Sequence, residues 1–381
     1  MSTVQETVQE GNPVFVKGPL EAAGGRTTAR STSLHIPSLD GIRALSFALV
    51  FLGHAGLNTV IPTTFGVTVF FFLSGYLITT LLRIEWQKTG HISLKKFYLR
   101  RALRILPPFY LVFILAYCAY RMGASPAPKE PASIPAVLFH YANYYMVVHD
   151  TQGFLFGTAV YWSLAVEEHF YLLFPCLFWL MARTGGSGRN QALFLLALCA
   201  VTLAWRCVLV FTLHVPMLRT LVASDTRVDS LLFGCALAVY ENPALDRSSF
   251  SERAWKRHLF PLGLAALVLC FVVRNASFRE TFRYSIQGLG LVPLFVCAAR
   301  YPDWFPMRLL NLRPIAFVGV LSYSLYLIHL LVLSVLETHF ASRLGPVAKG
   351  SLGMALSLLL SWLIYLTVEK PCARLRKRLS V

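Results

Sequence analysis

Long apolar runs recur along the chain from residue 39 to residue 368, each closed by a polar and often basic stretch. Within a run the apolar residues neither alternate with period two nor keep to one stripe. Sequences apolar all round form helices that are buried or lie in lipid, and a span needs about 20 such residues. The pattern predicts ten spanning helices, near 39–60, 65–84, 103–120, 160–181, 192–213, 228–240, 258–273, 284–299, 315–336 and 347–368. An eleventh stretch, "IPAVLFHYANYYMVVHD" (134–150), is apolar but short and studded with His140, Asn143 and tyrosines.

Loop charge decides whether that stretch crosses. If it does not, segments 183–190, 241–257, 300–314 and 370–381 share a side with the basic 83–104 loop and hold 14 Lys and Arg. Segments 214–227, 274–283 and 338–349 then lie opposite and hold 7. Basic loops stay cytoplasmic, so ten crossings are expected, with both termini in the cytoplasm. Residues 134–158 become an external re-entrant or interfacial segment. The fold class expected is all-α, a polytopic bundle in the cell (plasma or inner) membrane.

Composition agrees. Of 381 residues, 56% are hydrophobic and 14% charged, against about 25% charged in soluble domains. The net charge of +17 suggests nucleic acid only until topology explains it, and no nucleic-acid partner is expected. Eight cysteines fall mostly inside apolar runs without metal-ligand spacing, so no metal site is expected. Residues 1–36 are polar and rich in Gly, Ser and Thr. They read as a disordered cytoplasmic tail, with the first span an uncleaved anchor. Residues 37–370 form the membrane domain, and 371–381 a basic cytoplasmic tail.

Ionisable side chains inside a bilayer are costly and usually mark function. In "LDGIRALSFALVFLGHAG" (39–56), Arg43 and His54 are eleven residues apart, three helical turns and roughly 16 Å along one face. In "KKFYLRRALRILP" (95–107), Arg100, Arg101 and Arg104 stand at i, i+1 and i+4. Spacing alone leaves this cluster open between a topogenic signal and a bidentate phosphate grip. In "YWSLAVEEHFYLLFP" (161–175), Ser163, Glu167 and Tyr171 share a helical face while Glu168 turns towards Leu164 and Leu172. "FFFLSGYLI" (70–78) breaks a phenylalanine run with Ser74, Gly75 and Tyr76. This is either a packing notch or part of a site. Arg227 and Asp229 in "DTRVDSLLFG" are placed to contact a hydrophilic acceptor, Tyr323 and His329 lie in the ninth expected span with His329 at a depth similar to His54, and Glu369 is expected to pair with the basic tail.

Taken together, "LDGIRALSFALVFLGH", "FFFLSGYLI", "FYLRRALRILP", "YWSLAVEEHFYLLFP", "RVDSLLFG" and "SYSLYLIH" occur in an order that resembles the membrane-bound acyltransferase 3 family, from residue 39 to about 370. The resemblance implies a ten-helix core that transfers an acyl group, usually acetyl from acetyl-CoA, to a hydroxyl of a sugar or other acceptor. Some members add a soluble hydrolase-like domain, which is not expected in a chain of this length. The resemblance also favours a site at Ser74, Gly75 and Tyr76.

The mechanism this implies has no permanently bound cofactor. Acyl-CoA enters from the cytoplasm as donor substrate, its phosphates on Arg100, Arg101, Arg104 and Arg43, and its thioester near His54 and Ser74. His54 acts as general base or transient acyl carrier, with Glu167 orienting it or positioning the acceptor. Asp40, Trp162, Ser163, Glu168, Arg227, Asp229, Tyr323 and His329 support or contact the acceptor. A transporter or acyl-group exporter would use the same buried polar residues and is the competing reading.

Overall fold

The computed structural model describes residues 36, 38–57, 62–124, 131–150, 153–155, 157–340 and 342–379. The tail expected over residues 1–36 therefore lies, but for Ile36, outside the described residues. Helices and turns account for the described chain, and no strand occurs among the described residues.

Nine helical segments among the described residues are long and apolar enough to cross a membrane. The first is α1 (Leu39–Leu52), prolonged by a π-helical turn over Gly53–Leu57. That turn ends at Gly56, whose φ of 108° is open to glycine but strained for other residues. Next come α2 (Thr63–Thr89) and α3 (Leu94–Arg121), the latter started by the Ser93 hydroxyl, which accepts from the Lys96 amide. Two short helices follow, α4 (Ser133–Leu138) and α5 (Ala142–His149). At 1.5 Å per residue they reach roughly 9 and 12 Å, far short of the ~30 Å hydrocarbon layer. The 134–150 stretch does not cross.

The chain continues through α6 (Trp162–Arg183), α7 (Gly188–Cys207), α8 (Met217–Val222) and α9 (Ser224–Val239). A short α10 (Glu252–Ala254) runs through a π turn into α11 (Phe260–Val272). Then come α12 (Ala276–Glu280), α13 (Phe282–Arg300), α14 (Met307–Leu310) and α15 (Arg313–Phe340). Last are α16 (Pro346–Ile364) and, beyond another π turn, α17 (Lys370–Lys377).

The sixth expected span falls on α9, which has 16 residues. It is enclosed by α2, α6, α7 and α13, and every residue from Asp229 to Val239 is buried. A helix with no lipid-facing side needs neither full span length nor a purely apolar surface. Glycine sets how closely it packs. A Cβ at Gly75 of α2 would lie 2.0 Å from the Leu231 carbonyl oxygen, and one at Gly234 of α9 would lie 2.0 Å from the Phe72 carbonyl oxygen. The two backbones meet through reciprocal small-residue notches, a packing mode common in membrane bundles.

Contacts sort the loops to two ends as the non-crossing 134–150 segment requires. At one end Arg83 pairs with Asp246 at 2.6 Å, Arg300 donates to the Asp246 carbonyl at 2.7 Å, and Arg100 donates to the Leu379 carbonyl at 3.2 Å. At the other, Tyr144 donates to Asp225 at 3.1 Å, Asn143 to Ser224 at 2.9 Å, and His339 to the Ala124 carbonyl at 3.0 Å. The first set gathers the basic segments.

Candidate active site

Two cavities adjoin inside the bundle. The first, about 750 Å³ including its mouth, draws Arg43 from α1, Ser74 from α2, Arg101 and Arg104 from α3, Glu167 and Tyr171 from α6, and Tyr323 from α15. Residues far apart in sequence thus line one space, among them Arg43, Ser74, Arg101, Arg104, Ser163, Glu167 and Tyr323. Ser74 donates to Glu167 Oε1 at 2.7 Å, and the Tyr323 hydroxyl donates to the Ile105 carbonyl at 2.9 Å. Ser163 and Tyr326 share a hydrogen bond of 2.6 Å deeper in the wall.

Charge in this cavity is unbalanced. Arg43 is held by Asp40 at 2.6 Å. Arg101 stacks its guanidinium over Tyr171 (5.5 Å) and Phe97 (5.8 Å), and neither Arg101 nor Arg104 forms an ion pair among the described residues. With Arg43 paired to Asp40, the two remaining guanidinium groups, Arg101 and Arg104, share one carboxylate, Glu167, which is already bonded to Ser74. The cavity suits an anion such as phosphate, for which the planar guanidinium fork is the natural partner.

Arg100 is not part of it. Its side chain turns the other way, pairing with Glu85 at 2.7 Å, where Glu85 is 7% exposed. Spacing does not predict this, since Arg104 stands at i+4 from Arg100 on the same helical side; the Glu85 carboxylate draws Arg100 away. Gly75 and Tyr76 also point elsewhere. Gly75 serves the contact with α9, and the buried Tyr76 hydroxyl donates to Asn242 Oδ1 at 2.9 Å. The Ser-Gly-Tyr break therefore puts Ser74 on the cavity wall and makes a packing notch of Gly75. Glu168 lies outside the cavity wall. Glu369 accepts from Ser324 and also interacts electrostatically with Arg376 of the basic tail.

The second cavity, about 1170 Å³ with its mouth, is lined by His54, Thr63, Thr64, Trp162, Arg279 and Arg283. Val67 and Tyr326 line both spaces, so the two adjoin at these side chains. α1 places Arg43 in the first cavity and His54 in the second, matching the spacing expected along the helix.

Glu167 does not reach His54. Its carboxylate is engaged by Ser74 in the other cavity, and the partner of His54 is His329, with Nδ1 to Nε2 at 3.0 Å. His329 is fully buried, and its own Nδ1 lies 2.9 Å from the Tyr326 carbonyl and 3.1 Å from that of Leu325. Carbonyl oxygens only accept, so His329 Nδ1 carries a hydrogen. A neutral His329 then accepts at Nε2, which makes His54 Nδ1 the donor. The network leaves His54 Nε2 without a hydrogen, the form a general base or nucleophile requires. The sequence placed these histidines at similar depth but gave no signal that they touch.

Arg227 and Asp229 line neither cavity and are fully buried. Arg227 donates to Thr68 Oγ1 at 2.9 Å and to the Leu221 carbonyl at 3.1 Å. Asp229 pairs at 2.7 Å with Arg206, both 0% exposed. These residues tie α9 to α2, α7 and α13 instead of meeting an acceptor. Arg206 was the missed member. It stands alone in the apolar run 192–213, the signal that marks a buried functional or structural charge.

A family profile described as an acyltransferase domain matches residues 36–366. The chain belongs to the acyltransferase 3 family. It is thus a multi-pass membrane protein of that family. Over 360 residues it is 27% identical to the peptidoglycan O-acetyltransferase OatA of Listeria monocytogenes, covering 91% of this chain and 57% of that protein. It is 26% identical over 346 residues to a putative O-acetyltransferase of Staphylococcus aureus strain COL, and 27% identical over 347 residues to the O-acetyltransferase OatA of strain NCTC 8325. Each of these alignments covers 88% of this chain and 57% of the relative. The chain therefore spans less than three fifths of the length of these relatives. No solved structure matches it.

Proposed function

We propose that the chain transfers an acyl group, acetyl in the first instance, from acyl-CoA to a hydroxyl of a carbohydrate or glycosylated metabolite. The observation that carries this is the adjoining pair of cavities, one lined by Arg43, Arg101 and Arg104, the other by His54, meeting at Val67 and Tyr326. The arginines hold the donor phosphates at the basic end of the bundle, which faces the cytoplasm. The acyl arm extends along α1, whose rise from Arg43 to His54 is roughly 16 Å, and brings the thioester towards His54.

His54 Nε2 removes the proton of the acceptor hydroxyl as the oxygen attacks the thioester carbonyl. The carbon–sulfur bond breaks, and the departing CoA sulfur takes the proton from His54. His329 holds the ring and its tautomer throughout, accepting from Nδ1. Peptidoglycan in the name of one relative supports a glycan as acceptor class.

Purified protein in detergent, supplied with acetyl-CoA and a panel of sugars, should release CoA and yield an acetylated sugar without any membrane gradient. Solute flux that depends on a gradient, with no CoA released from any acyl donor, would refute the proposal.

A further inference from the structure

Behind the His54 cavity lies a group of arginines that the transfer reaction does not use. Arg206, Arg227 and Arg283 surround the ring of Tyr284, with guanidinium carbons 5.4, 4.0 and 4.9 Å from its centroid. Asp229 is the carboxylate of this group, and Arg206 holds it. Arg283 is 5% exposed, donates from Nη2 to the Tyr284 hydroxyl oxygen at 3.0 Å, and has a buried Nε with no hydrogen-bond partner among the described residues. Neither Arg279 nor Arg283 forms an ion pair among the described residues, although Glu280 stands between them in sequence. Both line the cavity that holds His54.

A buried guanidinium without a counter-charge is expensive. The Tyr284 ring offsets part of that cost by cation–π attraction, and Arg206 shows what full satisfaction looks like in this bundle: hydrogen bonds to Asp229, Ser285 and two carbonyls. Arg283 has no such set. It lines the cavity that also holds a second cation, Arg279, and His54.

We infer that Arg279 and Arg283 form a subsite for an anionic group, a phosphate or a carboxylate, borne by the acceptor whose hydroxyl faces His54. This rests on the acyl-transfer reading for the word acceptor, but the anion site itself does not depend on it. Charge recognition there selects which glycan is acylated, while the arginines of the first cavity handle the donor.

The test is binding by the full-length chain in neutral detergent at fixed ionic strength, with glucose 1-phosphate, glucuronate and glucose as probes. One charged sugar should bind about tenfold or more tighter than glucose, as charge-assisted hydrogen bonds predict. Which one it is identifies the anion. Arg283→Gln and Arg279→Gln should each remove most of that preference while acetyl-CoA affinity stays unchanged. Arg279 is only half-buried, so R279Q decides the matter if R283Q fails to fold. Equal affinity for all three sugars in the wild type, or a preference surviving in both variants, would overturn the inference. Displacement of the charged sugar by phosphatidylglycerol micelles at lower concentration than by the free sugar would assign the arginines to a lipid headgroup and also overturn it. A charge preference in protein that never consumes acetyl-CoA supports the anion site and removes the acyl-transfer reading instead.

Discussion

Ser74 and Glu167 meet across α2 and α6, with the serine hydroxyl 2.7 Å from the carboxylate, on the wall of the arginine-lined cavity. A hydroxyl in the middle of a phenylalanine run is thereby explained by a partner 93 residues away. The pair fixes where the cavity's negative charge sits relative to Arg101 and Arg104.

Glu167→Gln removes that charge but keeps an oxygen for Ser74 to donate to. It should leave the melting temperature near wild type and lower acyl transfer about 10²-fold, the scale of losing a preorganised electrostatic group. Ser74→Ala should cost less, about tenfold, because the carboxylate remains and loses one neutral donor. Steady-state transfer rates and thermal unfolding of both variants check this. If both variants turn over like wild type, the pair is wall packing.

The three arginines of α3 should separate in experiment. Arg101→Ala or Arg104→Ala should weaken acyl-CoA binding by about 1.5–3 kcal/mol per lost charged hydrogen bond, with folding intact. Lysine should rescue only partly, since it lacks the fork. Arg100→Ala should do the reverse: donor affinity holds, while stability falls because the buried Glu85 carboxylate loses its partner and keeps only the Ser93 amide at 2.9 Å. Equal loss of donor affinity in all three would place Arg100 back in the site.

Much of this was legible in the sequence, and the failures have common causes. Span positions follow from lipid's demand for unbroken apolar helix, so α1, α2 and α15 fall where hydropathy puts them. The identity of a side chain's partner does not follow, because it depends on which helices are neighbours. Sequence therefore offers Glu167 to His54 or to the acceptor, whereas it meets Ser74, and it shows His329 only as a residue of similar depth. Spacing groups Arg100, Arg101 and Arg104, but the Glu85 carboxylate, 15 residues back, claims Arg100. Arg227 and Asp229 were read as acceptor contacts because polar residues in a span signal function. An enclosed helix such as α9 meets the same signal with structural pairing.

Sidedness can be tested by cysteine labelling. Ser187 and Ser249 belong to the end that gathers the basic segments, and Ala124 and Ser277 to the opposite end. With the basic end in the cytoplasm, cysteines at 187 and 249 should be protected from an impermeant reagent in intact cells, and those at 124 and 277 should be labelled. Labelling at 187 with protection at 124 would invert the bundle and bring the donor from outside.

The His54–His329 contact yields the most demanding prediction. His54→Gln keeps hydrogen-bonding capacity but cannot take up a proton at neutral pH, so transfer should fall by about 10²–10⁴ if proton removal is its role. Acyl-CoA affinity should persist, because the donor phosphates lie in the other cavity. His329 acts through His54, by accepting from Nδ1 and keeping Nε2 free. His329→Gln offers an amide oxygen in the same region and should retain part of the activity. His329→Leu packs as well between Phe47 and Phe51, whose rings lie 5.6 and 6.3 Å from that of His329, but presents no acceptor. Its kcat should drop below that of the Gln variant at unchanged donor affinity, even where its melting temperature is the higher of the two. A packing role for His329 would give the opposite order, with activity tracking stability. Near-wild-type turnover in His54→Gln would make His54 a structural residue and move the chemistry out of this cavity.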